Sequence, residues 1–159
     1  MKTLTKLITC TIFAMCMSNT TQAQSTPIAK DSLCIYLYRG SFNDALPEFE
    51  IKIYKNGKVN YKGIKNTTRQ FEKQVNIDVE DIDLYFGVAN ALPFFDLQNS
   101  YTENFFAIEK SIIEMTDYSA HKTKKIMRRG KTPKALQTLE DRIITRVEKA
   151  VDEAVAKQK

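Results

Sequence analysis

The stretch Phe49 to Lys62, FEIKIYKNGKVNYK, decides the fold. Phe49, Ile51 and Ile53 alternate with Glu50 and Lys52, and Val59 and Tyr61 alternate with Asn60 and Lys62. Successive side chains of a strand point to opposite faces, so each run has one apolar and one polar face, and Asn56-Gly57 between them marks a hairpin. The loop length follows from the demand that paired residues share a face. A two-residue loop at Asn56-Gly57 sets Ile53 against Asn60 and Ile51 against Lys62, apolar against polar. A three-residue loop, Lys55-Asn56-Gly57, sets Ile53 against Val59 and Ile51 against Tyr61. The pattern therefore predicts a type I turn with Gly57 in the left-handed conformation as a bulge.

Upstream, Leu33 to Tyr38 is apolar on both faces, which predicts a central strand. Cys34 lies in this run and reads as a small buried hydrophobe. Downstream, Phe71, Val75 and Ile77 alternate with Glu72, Gln74 and Asn76 in another strand after the loop Asn66-Thr67-Thr68. Asp78 then reads as a helix N-cap, with Val79, Ile82, Phe86, Ala89 and Leu92 at helical spacing, acidic residues in the first turn and Pro93 as the stop. Phe94-Phe95 closes the core, and a polar loop leads through Tyr101 toward Phe105-Phe106. Ile112 to Met115 and Lys124 to Met127 read as two more strands joined through Tyr118 to His121. Finally Thr132 caps, Pro133 takes the first helical position, and Leu136, Leu139, Ile143, Val147, Val151 and Val155 form an apolar stripe. The distal part from Ala150 to Lys159 is expected to outrun the sheet. The order strands, helix, hairpin, helix predicts an α+β fold, an antiparallel sheet of about five to six strands with both helices on one face.

The first residues have the three-part build of an export signal. Lys2 and Lys6 precede the apolar run Leu7 to Met17, and Thr21-Gln22-Ala23 supplies small residues at the cleavage positions. The eleven-residue run makes a helix of roughly 16 Å, too short for a hydrocarbon core of about 30 Å. Residues 1–23 are therefore read as a signal peptide, 24–32 as a flexible lead-in and 33–159 as a single domain. A lipid anchor at Cys16 is disfavoured, because the residue before a lipidated cysteine is normally small and here it is Met15. The expected address is periplasmic or secreted, with no transmembrane helix after signal cleavage.

Cleavage after Ala23 leaves 136 of the 159 residues, enough for one core. It also leaves 22 basic against 19 acidic side chains, a net charge of +3. So mild a charge gives no strong nucleic-acid signal. Cys10 and Cys16 depart with the leader, and Cys34 then has no partner for an internal disulfide, so stability rests on the core.

These residues resemble the bacterial domain-of-unknown-function family 6438, found in small exported proteins, over about Leu33 to Ile144. The resemblance rests on Pro47 with Phe49, the turn Asn56-Gly57-Lys58-Val59-Asn60-Tyr61-Lys62-Gly63, Phe95-Asp96-Leu97 with Tyr101, the basic strand Lys122 to Ile126, and Pro133 to Leu139. Where the family has a cysteine pair, this chain has Ser41, Ala45 and Leu46. The family's aspartate-proline pair is replaced by Ala107, Ile108 and Glu109. The resemblance implies a fold and an exported setting, and the family carries no established activity.

The chain offers little catalytic chemistry. His121 is its one histidine, which excludes multi-histidine zinc sites. Asp117 and Tyr118 stand near it in sequence. The clusters Glu80-Asp81-Asp83 and Glu140-Asp141 read as solvated helix faces. There is no nucleophile elbow, phosphate loop, dinucleotide fingerprint or paired-cysteine metal motif. No catalytic, cofactor-binding or metal residue is assigned, and no cofactor is expected.

One charge feature stands out. Residues 121–134 hold Lys122, Lys124, Lys125, Arg128, Arg129, Lys131 and Lys134 without an acid. On a strand, Lys124, Ile126 and Arg128 share one face while Lys125, Met127 and Arg129 share the other. Splitting the charges this way favours protection of a sheet edge over a focused anion site, for which Lys122, Lys124, Lys125, Arg128 and Arg129 are the candidates. The leading functional reading is a non-enzymatic binding or interaction module of the cell envelope, whose partner is a protein or other envelope component. The alternatives are a polyanion binder using residues 122–134 and a small hydrolase centred on His121.

Overall fold

A computed structural model of the chain describes residues 32–103, 109–131 and 133–158. The leader, Cys10, Cys16, the lead-in up to residue 31, Phe105, Phe106 and Thr132 lie outside these described residues. Among the described residues seven strands form one sheet: β1 (Leu33–Ser41), β2 (Glu48–Tyr54), β3 (Lys58–Lys65), β4 (Glu72–Asn76), β5 (Ser100–Thr102), β6 (Glu109–Asp117) and β7 (Lys122–Arg129). Their order is β4-β3-β2-β1-β6-β7-β5, with β1 at the centre. Two helices complete the α+β fold, α1 (Val79–Ala91) and α2 (Lys134–Ala156).

The sheet corrects the expectation of five to six antiparallel strands. It has seven and is mixed, because β5 runs parallel to β7, pairing Ser100 with Met127 and Thr102 with Arg129. This three-residue strand follows α1 and a short 3-10 turn, Phe94–Asp96, so the helix–hairpin order also gains an element.

In the β2–β3 hairpin Ile53 pairs with Val59 and Ile51 with Tyr61 across the loop Lys55-Asn56-Gly57. Gly57 adopts φ +85°, a left-handed conformation costly to any residue with a Cβ. Its N–H donates to the Tyr54 carbonyl at 3.0 Å, and its carbonyl accepts from the Ile77 N–H at 2.9 Å, tying the turn to the chain that enters α1.

Alternation along the strands divides the sheet into a buried and an open face. Ile35, Leu37, Ile51, Ile53, Val59, Tyr61, Ile113, Met115 and Ile126 are buried together with Ile82, Tyr85 and Ala89 of α1 and Leu136, Leu139, Ile143, Val147 and Val151 of α2. The ladder between β1 and β2 shifts register between Leu33 and Ile35, which leaves both Cys34 and Ile35 buried. This bulge explains a strand that reads as apolar at consecutive positions.

The helix ends depart from the sequence reading. Asp78 occupies the N-cap of α1 without a side-chain cap bond. Its carboxylate instead accepts from Arg146 Nη2 at 3.2 Å, while Asp81 accepts from Arg146 Nε at 2.7 Å. Pro133 is the N-cap of α2 rather than its first residue. Nor does α2 outrun the sheet. Val151 is fully buried, Ala154 and Val155 pack against the core, and Arg69 grips Asp152 through Nε at 2.9 Å and Nη2 at 2.7 Å.

Candidate functional site

His121 is exposed in the β6–β7 turn with φ +52°. Asp117 does not orient it. One Asp117 oxygen accepts from the Ser119 amide at 2.9 Å, the Ser119 hydroxyl at 2.5 Å and the Ala120 amide at 3.0 Å. The Ser119 hydroxyl, with the two amides, holds this carboxyl below its ordinary value, so it serves as the anchor of the turn.

The basic segment is dispersed by β7. Lys122 and Lys125 are exposed, and Lys125 lies 3.7 Å from Glu114 across the ladder. Arg128 points into the core and is fully buried, which removes it from any surface anion site. Its Nη2 donates to Glu140 Oε2 at 2.6 Å and Glu109 Oε1 at 2.7 Å, and Ser111 Oγ donates to Glu140 Oε1 at 2.9 Å. Arg39 joins from β1, bonded to Asp141 at 2.7 Å and within 3.4 Å of Glu109. Hydrogen bonds and charge from Glu140 and Glu109 outweigh burial and push the Arg128 guanidinium further toward its charged form.

This network corrects the reading of Glu140-Asp141 as a solvated face, since Glu140 has no exposed surface. The signal was in the sequence: Glu140 falls four residues after Leu136 and three before Ile143, on the apolar stripe. Arg128 falls two residues after Ile126 on the core side of its strand. A buried cation and a buried anion in matching registers stabilise each other only as a pair. The cluster fastens α2 to the sheet.

A depression of about 460 Å³ beside α1 is lined by Cys34, Lys55, Phe86, Asn90 and Tyr118 among others. Burial pushes the Cys34 thiol up to about 11. Its S–H donates to the Ile53 carbonyl at 3.3 Å. Such a thiol is a packed side chain and a poor nucleophile.

The open face of the sheet is richer. Tyr36 donates to Glu50 at 3.3 Å and Tyr38 to Glu48 at 2.7 Å, and burial with the Glu48 bond pushes the Tyr38 phenol up to about 12. Lys52 with Glu50 at 2.6 Å and Lys62 with Glu72 at 2.8 Å extend a charge ladder over β2 to β4. Toward β7 the pattern changes. Phe42, just past β1, is 53% exposed, with the Arg129 guanidinium 4.1 Å and the Lys110 ammonium 5.7 Å from its ring centroid. Lys110 also stands 5.8 Å over the Tyr38 ring. These side chains border a cleft of about 260 Å³ whose wall includes Ser100, Tyr101 and Thr102.

The fold supplies each part of this corner. Lys110 and Arg129 are ladder partners on β6 and β7, so they project side by side, and Thr102 pairs with Arg129 from β5. Two cations, two hydroxyls and an aromatic ring converge there. That set suits an anionic group carried on an apolar or planar body. Sequence reasoning named Arg129 but missed Lys110 and Phe42, which the β6–β7 ladder and the end of β1 bring to it, and the hydroxyls, because the short β5 that carries them has no alternation to read.

Among the described residues no helix is long and apolar enough to cross a membrane, and no three His, Cys, Asp or Glu side chains gather as a metal site. No curated protein matches the chain. A family model matches residues 34–147, from the bulge of β1 to the middle of α2, so the chain belongs to the family defined by the domain of unknown function DUF6438.

Proposed function

We propose that this protein is an exported, non-enzymatic binding module of the cell envelope that holds its ligand on the open face of the sheet, by an anionic group seated at Phe42, Lys110 and Arg129. The observation that carries the reading is the pair of cations sharing the exposed Phe42 ring beside the Ser100 and Thr102 cleft. A large ring left half in water beside two cations is a recognition feature rather than a packing one. Export is supported by the leader read over residues 1–23. The polyanion reading over residues 122–134 loses Arg128 to the core, and the hydrolase reading loses Asp117 as a partner for His121.

The test is calorimetric titration of the full chain with a heparin-derived tetrasaccharide as an anionic probe. Phe42→Ala and Arg129→Ala are expected to weaken binding about tenfold each, as befits loss of a cation–aromatic or charge-assisted contact. Binding as tight as the parent's in both variants contradicts the assignment. Export is checked separately by intact-mass spectrometry of the protein from its native cells, where a chain starting at Gln24 is expected and an uncleaved Met1 contradicts it.

A further inference from the structure

We infer that the uncovered half of the β7 edge is a strand-addition site for an extended acidic segment of a partner protein, a surface separate from the Phe42 corner. The Met127 N–H donates outward to the Asn99 carbonyl at 2.9 Å, and the Arg129 carbonyl accepts from the Glu103 N–H at 3.0 Å. Backbone groups on a strand alternate direction with period two, so the N–H and carbonyl of Thr123 and Lys125 also point away from β6. Strand β5 ends its pairing at Met127. Among the described residues nothing takes up the outward backbone groups of Thr123 and Lys125, and a depression of about 430 Å³ lined by Asn99, Ile112, Thr123, Lys124, Lys125 and Met127 opens on the exposed face beside this edge. An unpaired ladder of this kind is a template for another strand.

Charge selects the occupant. Lys122, Lys124 and Lys125 occur within four residues, answered nearby by Asp117 beside Lys122 and Glu114 beside Lys125. Pairing this edge with a second copy of itself would bring lysines face to face, which is unfavourable. An extended segment with acidic residues at alternate positions meets Lys122 and Lys124 on one face instead, and its intervening apolar residues lie on the other face beside Met127, which is largely exposed. The device that blocks self-association therefore admits one chemical class of strand.

The test uses the full chain, isotope-labelled, titrated with a capped peptide of alternating Glu and Val. The Thr123 and Lys125 amides are expected to shift and to gain protection from hydrogen exchange, while those of Phe42, Lys110 and Arg129 stay in place. Lys125→Pro deletes one outward N–H without touching the β6 ladder, and is expected to bind about tenfold more weakly than Lys125→Ala, which keeps that N–H. If Lys125→Pro does not fold, Thr123→Pro against Thr123→Ala makes the same comparison. Any of three results overturns the inference: equal binding by the Pro and Ala variants, equal binding of a Lys-Val peptide, or shifts centred elsewhere. Dimerisation through β7 in sedimentation also overturns it.

Discussion

Arg128 and Glu140 meet at 2.6 Å between β7 and α2, and neither side chain has any exposed surface. Each cancels a charge that would be costly alone. Glu140→Leu leaves the buried Arg128 guanidinium with Glu109 as its one remaining carboxylate and Ser111 without its acceptor, and is expected to cost about 3 kcal/mol in urea denaturation. Arg128→Met combined with Glu140→Leu replaces the pair by apolar groups, and is expected to return to within about 2 kcal/mol of the parent. A double variant as unstable as the single one contradicts the pairing.

The β2–β3 turn makes a second prediction. Gly57 combines φ +85° with a carbonyl contact, since a Cβ there would lie 2.4 Å from the Ile77 oxygen. Gly57→Val is expected to lower stability by about 2–4 kcal/mol, from a left-handed β-branched residue and a displaced link to α1. At Gly63 a Cβ would fall 1.7 Å from the Arg69 carbonyl oxygen, so Gly63→Ala must move the loop carrying Arg69 and loosen its grip on Asp152. Thermal melts check both, and unchanged melting temperatures contradict the two assignments.

Acid exposes the turn anchor at Asp117. Its carboxyl is held below the ordinary 3.8, so the folded protein binds that proton less readily than the unfolded chain. A depressed carboxyl adds stability above the unfolded value and loses it as pH falls through the lower folded value. Asp117→Ala is therefore expected to be less stable than the parent near neutrality, with the gap closing below 3.8. Denaturant titrations on both sides of that value measure the gap, and a difference independent of pH contradicts the role.

Local rules made part of this structure legible. The facing pairs Ile53 with Val59 and Ile51 with Tyr61 follow from alternation alone, as does the need for Gly57 at the turn. Burial of Arg128 and Glu140 was legible from register but hidden by residue type, because charged side chains are rarely fully buried unless paired and the partner lies twelve residues away. Strand β5 was not legible. Ser100-Tyr101-Thr102 is too short to show a period, and it exists because Asn99 and Glu103 bond the backbone of β7. The hydroxyls of the proposed binding corner depend on that strand, so Ser100 and Thr102 could not be grouped with Phe42 and Lys110 before the topology was known.

The most direct measurement is an amide chemical-shift map of the full chain titrated with the heparin-derived tetrasaccharide, repeated with Phe42→Ala. Saturable shifts gathered at Phe42, Ser100, Thr102, Lys110 and Arg129, lost in the variant while its melting temperature holds, are the expected result. Shifts confined to the helices or to Lys122 and Lys124, or a map unchanged by Phe42→Ala, would show that the open-face corner is not where this protein binds.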